Sequence, residues 1–401
     1  MAVAFGALRN RNFRFYWIGM LVSMIGTVIQ ITAQSWLVLE MTNSALMLGL
    51  VGASQAIPFL FLALVGGHAA DRFEKRKLLY FTQSAMMVLA CVLSVLVFTH
   101  TVRVWHVMLI AVCMGTANSF DLPTRQAFIY ELVGSEDILS AVSLNSILFN
   151  LAQIAGPAIA GLVVATIGNA WCFLLNSVSF FAFIVALIMM KITPQPIKKM
   201  EGTAFDNIKD GLKYVWGSPI LKSTISLTVL AAIFAMPFTI LMPIFARDIL
   251  HVGAKGFGLL MMAIGVGALI GGVALSWASN IKGRGNIFFT SCMVFTAAII
   301  LFSVSKMFYL SFILLAVCGV CMVVQSSTGN TILQVNTSNE LRGRVMGIYT
   351  LAFMGLSPLG SLQAGAVAQF FTAPFAIALG AVIFGLSAFF IFRKNKQLRE
   401  I

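Results

Sequence analysis

Ionisable side chains are scarce in this 401-residue chain: Asp, Glu, Lys and Arg together make up 10% of it, against about 25% in an ordinary soluble domain. With 60% of the residues hydrophobic, too few polar groups remain to cover a water-soluble fold. Acidic residues are the rarer sign, 13 against 26 Lys and Arg, leaving a formal net charge of +13. That surplus does not indicate nucleic acid, because the bases are dispersed in short links between apolar runs and not gathered on one domain. The four histidines, His68, His100, His106 and His251, are scattered and offer no metal-ligand spacing. Cys91, Cys113, Cys172, Cys292, Cys318 and Cys321 all lie inside apolar runs, which leaves no role for a disulfide framework of the secreted kind. Cys318 and Cys321 copy the C-x-x-C redox spacing, yet deep in an apolar helix a thiolate has neither stabilisation nor access. No phosphate-binding loop is present: Gly265, Gly267, Gly271 and Gly272 follow no strand, and Gly267-x-x-x-Gly271 reads as a helix-packing motif. An intramembrane enzyme or sensor would need an acid, base, nucleophile or metal cluster at depth, and the sequence offers none. No cofactor and no metal are expected.

What the chain has in abundance is length of apolar run. Mean hydropathy is +0.96, and stretches of 18 or more apolar residues recur, each long enough to cross a hydrocarbon layer about 30 Å thick. Twelve spans are expected, from Phe15 to Leu39 through to Phe375 to Phe392. The basic start (Arg9, Arg11, Arg14) leads into a span too long for a cleavable signal. With the N-terminus inside, only Arg103, Arg247, Lys255 and Lys306 fall outside. The positive-inside rule therefore places both termini in the cytoplasm of an inner, cytoplasmic membrane.

The two halves echo each other. Leu132 to Asp137 precedes the fifth span as Gln334 to Asn339 precedes the eleventh, and Pro157 and Pro358 fall at matching depths. This is the weak internal symmetry of duplicated transporter halves, whose substrate site lies near the midplane. The fold class expected is an all-α membrane protein of twelve transmembrane helices in two pseudo-symmetric six-helix bundles, residues 1–190 and 220–401. A cytoplasmic linker, 191–219, carries Phe205, Ile208, Leu212 and Val215 on one helical face. That face suits either the inner leaflet or the side of a bundle.

The link after the second span, Gly67-His68-Ala69-Ala70-Asp71-Arg72-Phe73-Glu74-Lys75-Arg76-Lys77, resembles the G-x-x-x-D-R-x-G-R-R/K signature of the major facilitator superfamily, with Glu74 standing where Gly is usual. Leu8 to Arg14, Trp36 to Thr42, Phe120 to Ala127 and Leu341 to Gly347 are similar to its transmembrane secretion effector branch, which holds enterobactin exporters and macrolide efflux proteins. Gly156-Pro157-Ala158-Ile159-Ala160-Gly161 resembles the G-P-x-x-G-G element of antiporter members, with Ala160 in place of a Gly. The resemblance implies the major facilitator fold and a secondary exporter, of drug-resistance or siderophore-export type, working by alternating access. Its cargo would be an amphipathic small molecule such as a siderophore or lipophilic drug, with a lipid transporter or an importer as the alternatives. A monomer is expected, with the lipid bilayer as its surroundings and protons as the candidate coupling ion. The fourth span lacks the mid-helix Arg that many proton-coupled drug antiporters carry, which argues against such coupling.

Gating is assigned to Gly67, Asp71, Arg72 and Lys75, read as an ion-paired latch with a close helix approach at Gly67. The Asp121 and Arg125 pair at the cytoplasmic end of the fourth span, Gly156 and Pro157, and Arg342 and Arg344 are gating candidates as well. Glu40 and Asp121 are the coupling candidates. Neutral polar stripes supply the cavity. Ser23, Thr27, Gln30 and Gln34 share one face of the first span, and Ser146, Asn150 and Gln153 one face of the fifth. Asn118, Gln325 and Asn330 add single amides. Phe234 and Phe238, in a seventh span that Pro237 and Pro243 invite to unwind, add an apolar wall.

Overall fold

The structure, a computed structural model, describes residues 6–134, 137–191, 204–277 and 283–400. Among them no strand forms, and twelve helical segments are long and apolar enough to cross a membrane. They are α1 (Arg11–Thr42), α2 (Ala45–Arg72), α3 (Lys75–Phe98), α4 (Val104–Val133), α5 (Ile138–Thr166), α6 (Asn169–Met189), α7 (Pro219–Ile249), α8 (Gly253–Trp277), α9 (Arg284–Val304), α10 (Phe308–Val335), α11 (Arg342–Phe370) and α12 (Ala373–Lys394). Phe61, Phe81, Trp277, Tyr309 and Phe370 are each at least 70% exposed, a surface that suits lipid and not water.

The first turn of α1 shows how a polar stretch organises an apolar bundle. Asn10 caps the helix, its Oδ1 accepting from the backbone N–H of Asn12 (2.9 Å) and of Phe13 (3.3 Å). Its Nδ2 donates to the Leu132 carbonyl at the end of α4 (2.7 Å), and Asn12 Nδ2 donates to the Lys191 carbonyl just past α6 (2.8 Å). The stretch Leu8 to Arg14 is thus a three-way tie between helix ends.

Packing divides the chain into two units: Met1–Asn43, Ser54–Glu201 and Gly253–Met262 form the first, Ser44–Ala53, Gly202–Val252 and Ala263–Ile401 the second. The core of the first is aromatic. The Tyr16 ring lies 5.9 Å from Phe128 and 5.7 Å from Phe183 between centroids, with Leu79, Leu144 and Leu187 around them. Lipid tails are as apolar as Leu, so helices associate here through close backbone approach and not through the hydrophobic effect. A Cβ on Gly66 would run into the Ser119 carbonyl oxygen, and one on Gly115 into that of Gln55. The close approach expected at Gly67 is made one residue earlier, about 100° round the helix: Gly66 makes it, while Gly67 opens onto free space.

The second unit centres on Phe295, whose ring lies 5.9 Å from Phe238 and 6.2 Å from Phe384. Its α8 and α10 cross where a Cβ on Gly267 would strike the Ala316 carbonyl oxygen and one on Gly319 that of Ile264, so the Gly267-x-x-x-Gly271 pattern is a packing motif. The prolines break α7: regular helix runs from Pro219 to Leu230, followed by a π-type turn at Ala231–Ala235, a 3-10 stretch at Met236–Leu241, a single α turn at Met242–Ile244 and a second π-type turn at Phe245–Ile249. The linker helix Ala204–Gly217 buries Val215 against Leu221, Val345 and Ile348. Leu212 and Trp216 stay exposed. The side chains of Phe205 and Ile208 lie outside the described residues, as does 192–203 of the linker.

Candidate functional site

Within the first unit a cavity of about 110 Å³ is lined by Met24, Thr27, Gln30, Ile31, Gln34, Gln55, Met86, Ala111, Met114, Asn118, Arg125, Asn176 and Phe180. Its wall is a row of amides. Gln30 is fixed by α6, its Oε1 accepting from Asn176 Nδ2 at 2.7 Å. Asn176 is held by Ser179, whose hydroxyl donates to its Oδ1 (3.0 Å).

Behind the cavity lies a charge pair. Asp121 is 0% exposed and Arg125 9%; Arg125 Nη2 pairs with Asp121 Oδ2. The other carboxylate oxygen, Oδ1, accepts from Thr82 Oγ1 and from Gln83 Nε2, each at 2.8 Å. The guanidinium carbon sits 6.0 Å from the Phe183 ring centroid, and Nη1 lies 3.7 Å from the Met24 sulfur. The pair was expected at the cytoplasmic end of the fourth span. The helix α4 itself runs on to Val133, so the two residues lie eight and twelve positions before its end, about 12–18 Å at 1.5 Å per residue. A charge that finds its partners inside a bundle need not terminate the span.

Other predicted cavity residues lie elsewhere. Asn150 donates to the Ser146 carbonyl of its own helix (2.9 Å), and Gln153 is half-buried on α5. Neither lines this cavity. In the second unit Gln325 Nε2 donates to the Ser291 carbonyl of α9 (3.1 Å), a helix-to-helix tie, beside a void of only about 20 Å³. Asn330 accepts from Gln334 one turn along. Phe238 is a core residue packed on Phe295. Phe234 is half-buried, and its carbonyl oxygen would meet a Cβ placed on Gly380 of α12.

The latch differs from expectation as well. Asp71 and Arg72 are exposed, and among the described residues no ion pair forms at Asp71. The bases further along do the tying: Lys75 pairs with Glu131 of α4, and Arg76 Nη2 donates to the Leu187 carbonyl of α6 (2.7 Å). Lys77 pairs with Glu74 at 2.7 Å. Asp71 lies in the last turn of α2, whereas Lys75 and Arg76 open α3. Glu40 accepts from Trp36 Nε1 (2.6 Å) and from Asn169 Nδ2 (2.9 Å). A Cβ on Gly156 would lie 2.7 Å from Val28, which makes the Gly156-Pro157 element a close crossing of α5 on α1. Arg342 is exposed at the start of α11, and Arg344 packs against Gly211 of the linker helix.

Asn176, Gln55, Thr82, Gln83 and Glu131 were not anticipated. For Asn176 a signal existed: an amide followed by Ser177 and Ser179 inside an otherwise apolar span.

A family model described as transmembrane secretion effector matches residues 2–400. The chain belongs to this family of the major facilitator superfamily. Among curated relatives, the staphyloferrin A transporter of Staphylococcus aureus (strain NCTC 8325 / PS 47) is 25% identical, with 96% of this chain and 98% of that one covered. The multidrug efflux pump Tap of Mycolicibacterium fortuitum is 26% identical over 94% and 93%. The solved nucleoside transporter NupG superposes with a TM-score of 0.77 at 11% identity, covering 96% of this chain and 99% of its own. At that identity the likeness shows the fold alone, and it is the major facilitator fold that was expected.

Proposed function

We propose that this secretion effector relative exports an amphipathic small molecule by alternating access, with the amide-walled cavity of the first unit as part of its cargo site. The observation that carries the reading is the convergence of Gln30, Gln34, Gln55, Asn118 and Asn176 on one cavity in a chain of this family. Polar groups set into a mostly apolar wall are what orient an amphipathic ligand. The names of two relatives, a staphyloferrin A transporter and a multidrug pump, are consistent with such a cargo. Of the two coupling candidates, Asp121 is the buried one and the better placed to sense the cavity, whereas Glu40 is exposed.

Everted membrane vesicles from cells with and without the chain should differ in accumulation of a macrolide. Gln30→Leu with Asn118→Leu should lower the uptake rate about tenfold, the effect of losing one or two hydrogen bonds. Equal uptake in both vesicle types would refute export, and an unchanged rate in the Leu variant would make the amides helix-packing groups. Both termini are proposed to be cytoplasmic. A single cysteine at Lys396 should then label only in opened or inverted membranes and one at Lys306 from outside intact cells; labelling of both from the same side sinks this orientation.

A further inference from the structure

Arg125 has more donors than its partners use. A guanidinium carries five N–H groups and no acceptor. Nη2 is engaged by Asp121, Nη1 meets nothing stronger than the Met24 thioether at 3.7 Å, and Nε is buried with no hydrogen-bond partner among the described residues. Arg–carboxylate pairs frequently place both carboxylate oxygens along one edge of the guanidinium. Asp121 instead splits them, giving Oδ1 to Thr82 and Gln83 on α3 and only Oδ2 to Arg125. The carboxylate is wholly buried, with Oδ1 doubly hydrogen-bonded and Oδ2 held by the ion pair alone, while the guanidinium has unused donors and lines the cavity. The charge presented to a ligand is positive. A volume of about 110 Å³ corresponds to roughly four waters at about 30 Å³ each. It falls well short of the roughly 300–1,000 Å³ that encloses a drug-sized molecule. Such a space takes the head of a cargo and not its body.

We infer that the cavity is a carboxylate site: the acidic end of the cargo is held by Arg125, with the Gln30 and Asn118 amides beside it. This deepens the exporter reading and rests on it. Asp121, Thr82 and Gln83 are positioning residues, holding the guanidinium without touching cargo. The Phe183 ring, 6.0 Å from the guanidinium carbon, backs the same cation.

The probes are 1-pyrenebutyrate and its methyl ester, which differ only in the carboxylate, and binding to the purified full-length protein is read by energy transfer from tryptophan to pyrene. Wild type should prefer the acid about 10- to 100-fold, the range of a hydrogen bond to a charged group. Arg125→Lys should keep a reduced preference. Asp121→Asn with Arg125→Gln, which leaves no charge unpaired and so guards against a merely unfolded variant, should bring the ratio to about one. Equal binding of acid and ester by wild type overturns the inference. So does a preference that survives in a neutral-pair variant of unchanged melting temperature. Everted vesicles separate this from the parent reading: accumulation of neither probe nor a macrolide counts against export, whereas accumulation of acid and ester at equal rates removes only the carboxylate site.

Discussion

Asp121→Leu is expected to destabilise the protein by about 3–5 kcal/mol, the cost of leaving a buried charge without its partner. Arg125, 9% exposed and with Nε already unpartnered, has no second carboxylate to turn to among the described residues. Thr82 and Gln83 would lose their shared acceptor at the same time. Combining Asp121→Leu with Arg125→Met should recover most of the loss, because removing both charges also removes the desolvation that their pairing offsets. Unfolding of the purified protein in mixed micelles measures the cycle. If the double variant is as unstable as the sum of the two singles, the residues are not energetically coupled and the ion pair is incidental.

Gly267→Ala should be the other large loss, about 3 kcal/mol or more, because the added methyl meets the Ala316 backbone and not a side chain that can rotate away. Helix propensity argues the opposite sign, since Ala is favoured over Gly by about 1 kcal/mol in a helix interior. Gly272→Ala isolates that term: a Cβ there finds only a Val323 methyl at 3.9 Å, and stability should stay level or rise. Each variant adds one methyl to the same helix, and only Gly267→Ala is predicted to lose stability. Equal melting temperatures for both would show that the α8–α10 crossing does not depend on glycine.

Hydropathy made the twelve spans and the class of fold legible because lipid admits few alternatives to apolar helices. What hydropathy does not reveal is the surroundings of Asp121, where three side chains from α3 and α4 bind the carboxylate. No local pattern announces that, since Thr82 and Gln83 lie about 40 residues away in sequence. The latch failed differently. Gly66 and Gly67 are adjacent, but which of them faces a neighbour depends on helix phase; Asp71 and Lys75 fall on either side of a helix break, and only Lys75 meets a carboxylate. Of the polar stripe in α1, Gln30 and Gln34 reach a common cavity with Asn118. Asn150 and Gln325 show the competing use of the same chemistry, a hydrogen bond to a backbone carbonyl.

The opening helices of the two repeats are mechanically unequal. α1 is one unbroken rod of 32 residues, in which bending would cost hydrogen bonds along a regular ladder. α7 changes ladder spacing several times between Ala231 and Ile249. Pro237 and Pro243 withhold donors there, and Thr239 Oγ1 donates to the Met236 carbonyl at 3.1 Å. A segment already using three hydrogen-bond registers can exchange one for another with little loss. The second repeat therefore carries a compliant joint in its leading helix where the first carries a strut, and strain applied equally to both would be absorbed by α7.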